Sequence, residues 1–313
     1  MAGALLVPAS SDAAAGVRIG RLSPLSARSD EPHLAAFRRG LKDRGWVDGS
    51  FTIEGRFADG NGERLPALAA DLVRSGVSLI LAGSNAAVLA AKQATATIPI
   101  VMVTTGDPVG DRLVSSLARP GANVTGVTAF GQALNTKRLE LLKAAVPGAE
   151  RVAVLIDPRG PYAAGFIAKR EDAATALSLD VQLLLAHDVE DVEKALVAAA
   201  KSRAQAVMVE TNPAFLTHGR RIVELVAKSR LPAIYGERAF VEAGGLMFYG
   251  ASLVDMYADA AGHADKILKG AKPAELPVEQ PTKFEFVINM KAARGLGLTI
   301  PPTLLLRADT VIE

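Results

Sequence analysis

Four short polar runs in this chain carry the groups that could hold a small molecule, and each directly follows an apolar run. Gly83-Ser84-Asn85 follows VSLILA (77–82) and precedes a helical pattern. A helix start leaves unpaired N–H groups and a partial positive charge, which suits a carboxylate. Ser84 or Asn85 acting only as a helix cap is the plainer alternative, and the two roles can coexist. Thr104-Thr105-Gly106-Asp107-Pro108 ends the next apolar run, offering two hydroxyls and a carboxylate able to bind an ammonium. Its plainer reading is a turn in which Asp107 bonds its own backbone. Glu210-Thr211-Asn212-Pro213-Ala214-Phe215 and Tyr235-Gly236-Glu237-Arg238 add polar groups and two aromatics. Aromatics make up only 5% of the chain, so Phe215 and Tyr235 at strand tips stand out, although ordinary packing would also explain them.

This is binding chemistry more than bond-making chemistry. The chain has no Cys, which removes thiolate nucleophiles, thiolate metal sites and disulfides together. The four histidines, His33, His187, His218 and His263, are far apart and form no H-x-x-x-H pair, so no metal is expected. There is no G-x-S-x-G elbow and no P-loop, and Gly83 stands alone where a dinucleotide fingerprint needs three glycines. No catalytic residue and no cofactor is expected.

The elements that position these runs repeat. VSLILAGSNAAV (77–88), a helix and IPIVMVTTGDP (98–108) form one unit. AQAVMVETNPAF (204–215), a helix and LPAIYGER (231–238) form the second. Around them strands and helices alternate. Strands are predicted at 17–23, 51–57, 124–128, 151–157, 181–185, 245–250 and 284–289. Helices are predicted at 33–44, opened by Ser29-Asp30-Glu31-Pro32, and at 63–75, 137–145, 162–178, 189–202 and 252–268. Alternation of this kind implies parallel sheets with right-handed crossovers, and two sets imply two doubly wound α/β lobes. The helix at 252–268 and strand at 284–289 come after the second set, so the chain is expected to cross back and form a multi-strand hinge. The division predicted is 17–128 with about 251–283 as one lobe, and 129–250 with about 284–313 as the other.

At 313 residues, two domains is the default. Lys+Arg at 35 against Asp+Glu at 33 gives a scattered net +2, too weak for a nucleic-acid footprint. No stretch approaches the ~18 apolar residues of a membrane helix. Residues 1–16 read as the back end of an export signal with small residues suited to cleavage, or as a disordered tail, and an exported, periplasmic location is the expectation.

Longer runs now bear on the question. LKDRGWVDG (41–49), RLPALAADLV (64–73), RPGANVTGV (119–127), KRLELL (137–142), FVEAGGLMFYG (240–250), QPTKFEFVIN (280–289) and GLGLTIPP (295–302) together resemble the ABC-transporter substrate-binding protein family that includes tryptophan- and tyrosine-binding members. The match runs from about Val17 to Glu313. The resemblance implies a type I periplasmic binding-protein fold, a monomeric receptor trapping a small ligand between two lobes, and a membrane permease with its ATPase as partner. Carried onto this sequence, the ligand-facing positions it implies are Ser23, Ser84, Asn85, Thr105, Asp107, Thr211, Asn212, Phe215 and Tyr235. The leading expectation is an amino acid, its carboxylate near Ser84, its amine on Asp107 and its body under aromatics of the second lobe. An enzyme on a two-lobed scaffold, or a ligand sensor not coupled to transport, are the alternatives. A cysteine-dependent racemase lacks its nucleophiles here, and a repressor would need a helix-turn-helix for which 1–16 leaves no room.

Overall fold

The computed structural model describes residues 16–104, 106–129, 133–157, 172 and 174–313. Five strands, β1 (Val17–Ser23), β2 (Phe51–Phe57), β3 (Leu79–Ala82), β4 (Ile100–Thr104) and β5 (Val124–Thr128), pair in the order β2-β1-β3-β4-β5, all parallel. Seven more form a second sheet: β6 (Arg151–Ile156), β7 (Asp180–Leu185), β8 (Ala206–Val209), β9 (Ala233–Tyr235), β10 (Met247–Gly250), β11 (Glu285–Asn289) and β12 (Thr310–Ile312). Their order is β12-β11-β10-β9-β8-β6-β7, parallel except for the antiparallel β10–β11 pair.

The unbroken apolar runs explain this arrangement. LILA in β3 and AVMV in β8 are buried at every position, because helices cover both faces of each sheet. Each sheet accordingly has two cores, one per face.

The first helix, Ala27–Lys42, opens a turn earlier than Ser29-Asp30-Glu31-Pro32 predicts. Ser26 is the cap, its hydroxyl accepting the Ser29 N–H at 3.2 Å, and Pro32 sits inside the helix. The earlier start turns Asp30 inward. The connection from β8 to β9 is two helices, Pro213–Thr217 and Gly219–Lys228, divided at His218. The predicted helix 162–178 lies largely outside the described residues, as do residues 1–15 of the expected signal remnant.

The chain passes between the sheets three times. It leaves β5 for β6, returns after β10 into the helix Leu253–Leu268, and leaves again for β11. That helix shares a core with Phe37 and Leu41 of the first helix and with Ile19 and Val101 of the first sheet. The approach is close at Gly40, where a Cβ would stand 2.6 Å from the Ala258 carbonyl oxygen. Glu279 then bridges to Val127 before the last crossing.

Strand order reverses between β1 and β3 in the first sheet and between β6 and β8 in the second. Ligands of open α/β sheets bind outside the carboxyl ends of strands at such reversals. Here the carboxyl ends are the polar tips themselves.

Candidate ligand-binding cleft

A cleft of ≈ 670 Å³ opens between the two sheets, inside the range of about 300–1,000 Å³ usual for small-molecule sites. Gly83, Ser84 and Asn85 after β3, Thr104 at the end of β4, and His33 and Tyr257 from two helices line one wall. Asp157 after β6, His187 after β7, and Glu210, Thr211 and Asn212 after β8 line the other, with Asp59, Asn61 and Glu63 at the side. Carboxylates and histidines are frequent in this lining, whereas no Lys or Arg occurs in it among the described residues. His187 Nδ1 lies 3.0 Å from Asp157 Oδ1.

On the first wall, the helix Asn85–Ala94 presents its start to the cleft. Ser84 caps it, the hydroxyl accepting the Ala87 N–H at 3.1 Å, and the Asn85 amide donates to Asp111. Behind this wall lies a fully buried guanidinium. Arg21 donates to both oxygens of Asp30, at 2.8 and 2.5 Å, and to Tyr257 Oη at 2.7 Å. Burial alone would lower the Arg21 pKa, but the charge and hydrogen bonds of Asp30, aided by Tyr257, outweigh it and raise it. Burial likewise opposes ionisation of Asp30, and Arg21 overrides it, holding the carboxyl well below the usual carboxylate range. The Arg21 guanidinium carbon and the stacked His33 ring each lie 4.8 Å from the Tyr257 ring centroid.

On the second wall the buried Glu210 carboxyl, and behind it that of Glu237, share one buried guanidinium, Arg138. Arg138 donates to the Tyr249 carbonyl at 2.8 Å and to Asn135 Oδ1 at 2.6 Å. Burial pushes both carboxyls up against the pull of Arg138, Glu237 to about 8.

Besides His33 Nδ1, which sits 3.5 Å from Asp30 Oδ1, four buried side-chain atoms on the facing walls have no hydrogen-bond partner among the described residues. They are Asn85 Oδ1 and Thr104 Oγ1 on the first, and Glu210 Oε1 and Asn212 Nδ2 on the second. Leaving such an atom unpaired costs about 1–3 kcal/mol, so folded proteins rarely keep them without a use. Among the described residues, no group of histidines and carboxylates could hold a metal ion.

Of the positions expected from sequence, Ser84, Asn85, Thr211 and Asn212 line this cleft. Thr105 lies outside the described residues. The other four are occupied elsewhere and do not line it. Ser23 is fully buried, donating to Asp30 Oδ1 at 3.0 Å and accepting the Leu25 N–H at 3.1 Å. Asp107 accepts the N–H groups of Val109 and Gly110 at 3.1 and 2.9 Å, the turn that was the plainer reading of that run. Phe215 and Tyr235 belong to the second lobe's core, where Tyr235 stacks on Phe240 at 5.1 Å. An aromatic at a strand tip can point back under the sheet, and burial took both side chains there. Sequence reasoning missed His33, Asp157, His187 and Tyr257. The available signal was Arg21 inside an apolar strand, since a buried arginine demands a polar cluster around it.

The sequence and fold resemble those of known proteins. The sequence model of a family described as ABC transporter substrate binding protein matches residues 19–312. A tyrosine-binding protein of Clostridioides difficile is 25% identical over 263 residues, 84% of this chain and 75% of that protein. The crystal structure of an ABC domain from Streptococcus pneumoniae in complex with L-Trp is 26% identical, with a TM-score of 0.86 over 95% of this chain and 100% of that one. A conserved domain protein of Vibrio cholerae, 24% identical with a TM-score of 0.87, shares the fold over 95% of this chain and 100% of its own. With two parallel-sheet lobes, a cleft at their strand tips and a family match across nearly the whole chain, the protein belongs to the ABC transporter substrate-binding protein family and is a solute-binding receptor of an ABC importer.

Proposed function

We propose that the solute is an α-amino acid, of the aromatic class, held as a zwitterion across the cleft. The observation that carries this reading is the unpartnered Thr104 hydroxyl on one wall facing the unpartnered Glu210 oxygen and Asn212 amide on the other. The helix start at Asn85 and the Thr104 hydroxyl supply donors for a carboxylate. Glu210, with one free oxygen backed by Arg138, takes the ammonium, the role that sequence reasoning gave to Asp107. Asn212 adds a donor from the second lobe. A lining rich in carboxylates and without Lys or Arg among the described residues disfavours multiply charged anions and favours a ligand that brings its own cation. The His33 ring, stacked on Tyr257 and lining the cleft, offers a face for an aromatic body, and the known relatives with tyrosine or tryptophan support that class.

In this reading the receptor works as a monomer in the periplasm, delivering ligand to a permease and its ATPase. The lobes are 17–128 with about 251–283 and 129–250 with about 284–313, closing about the three connections.

Calorimetry across amino acids, aromatic acids, aromatic amines and polyols tests the proposal. L-tryptophan or L-tyrosine should bind in preference to the corresponding amines and acids lacking one charge. Glu210→Gln should weaken binding by about thirtyfold or more, the usual cost of truncating one partner of a buried charge pair. Binding of polyols alone, or full affinity in Glu210→Gln, would refute it.

A further inference from the structure

We infer that Tyr257 is a ligand-touching specificity residue, donating its hydroxyl hydrogen to the ligand carboxylate and so selecting free acids over amides. This rests on the amino-acid reading above and goes beyond it, because it assigns the discrimination to a residue of the helix that returns to the first lobe.

The hydrogen bonds of the Tyr257 phenol leave it one hydrogen to give. Arg21 donates to Tyr257 Oη at 2.7 Å, so the phenol oxygen serves as acceptor toward the guanidinium. Its own hydrogen then remains to be given away, and among the described residues no acceptor takes it. A phenol that accepts from a buried cation is also a stronger donor, because neighbouring bonds polarise one another. Burial, with Asp30 and Glu237 adding to it against Arg21, raises the Tyr257 pKa, so the group keeps its proton at neutral pH.

Position supplies the second part. Tyr257 lines the cleft although it is only 3% exposed. A Cβ built on Gly83 would collide with Tyr257 Oη and with the Arg21 guanidinium, so the hydroxyl rests directly against the Gly83 backbone. Gly83 is followed by the Ser84 cap and the first N–H groups of the helix Asn85–Ala94. Thr104, 2% exposed with an unpartnered hydroxyl, lines the same wall. Helix start, threonine hydroxyl and polarised phenol form a donor set, the phenol held by the Arg21–Asp30 ion pair behind it. A carboxylate answers all three, whereas a carboxamide presents a weaker acceptor and hydrogens of its own. Glycine at position 83 is what lets the phenol reach this place.

Tyr257→Phe keeps the ring stack on His33 and removes only the O–H. Titrating L-tryptophan, L-tyrosine and their amides should show the free acids weakened by about tenfold to a hundredfold and the amides by about a few-fold, the difference between hydrogen bonds to charged and neutral groups. Gly83→Ala, which displaces the hydroxyl without deleting it, should change the acid-to-amide ratio in the same direction. Melting scans of both variants separate loss of fold from loss of selectivity. If wild-type protein binds the free acids and Tyr257→Phe leaves them untouched, or weakens acids and amides equally, the assignment fails while the amino-acid reading survives. If wild-type protein binds neither free acid, both fail together.

Discussion

Replacing Thr104 by valine separates the cost of an empty site from its use. The two side chains are nearly equal in shape, and the change removes only a hydroxyl. Thr104 ends β4, is 2% exposed, and its Oγ1 has no hydrogen-bond partner among the described residues. A buried hydroxyl without a partner costs about 1–3 kcal/mol relative to its solvated state, so valine should return part of that. At about 2 °C per kcal/mol for a protein of this size, the empty receptor should melt about 2–6 °C higher. Binding should move the other way. A hydrogen bond to a charged group is worth about 1.5–3 kcal/mol, so affinity for a carboxylate ligand should fall about 10- to 150-fold. Calorimetric melting of the ligand-free variant and isothermal titration with L-tryptophan and L-tyrosine read the two effects independently. Stabilisation together with weakened binding supports the reasoning. A lower melting temperature in the empty state would mean the hydroxyl already has a partner, and unchanged affinity would remove Thr104 from the site.

Three further outcomes are expected. Asp107→Ala should lower stability by about 1 kcal/mol, as for a lost capping residue, while ligand affinity measured by titration stays at the wild-type value, because Asp107 serves its own turn. Gly40→Val should lower the melting temperature through a loss of about 1–3 kcal/mol by overpacking, since its Cβ would lie 2.6 Å from the Ala258 carbonyl oxygen and 2.8 Å from the Ala261 Cβ. Glu237 has a folded pKa of about 8, pushed up mainly by burial, against 4.5 for the free side chain. The native state therefore binds more protons in that window, and this group's contribution to stability falls as pH rises from about 4.5 to about 8 and levels off above. Denaturation of Glu237→Gln and wild type across pH 4–9 should show the variant gaining relative stability over that interval, and parallel curves would contradict the assignment.

Much of the fold was legible because parallel strands buried on both faces leave unmistakable apolar runs, as in LILA and AVMV. The return of the chain was legible too, from a helix and strand that continue after the second repeat. The last strand, Thr310–Ile312, was not, being three residues long and paired only at a sheet edge. The cleft was read in part. Ser84, Asn85, Thr211 and Asn212 follow strand ends, and a strand end fixes where the next few residues must sit. Phe215 and Tyr235 escaped that logic because side-chain direction, not position along the chain, decides whether a tip residue faces ligand or core. Tyr257 could not be found this way at all. It reaches the cleft from the second turn of a helix, across 236 residues from its partner Arg21.

The two walls offer complementary hydrogen-bonding groups, and this gives lobe closure a driving force. The first wall ends in a helix start and hydroxyls, with the Arg21–Asp30 ion pair behind them. The second ends in the Glu210 carboxyl, with Arg138 shared between it and Glu237. A ligand satisfies one wall in an open protein and both only when the lobes meet. Closure can be shifted only by the difference in affinity between the two states. Moving an equilibrium from 1:99 to 99:1 takes about 5.5 kcal/mol of that difference. A hydrogen-bonded charge on the second wall and an added amide from Asn212 supply a quantity of that order. A zwitterion brings opposite charges at a fixed short separation, so it can engage both walls at once. An acid without the amine, or an amine without the acid, would engage one wall and leave the other's unpaired atoms as they are. Selectivity for the zwitterion and commitment to the closed state are then the same free energy.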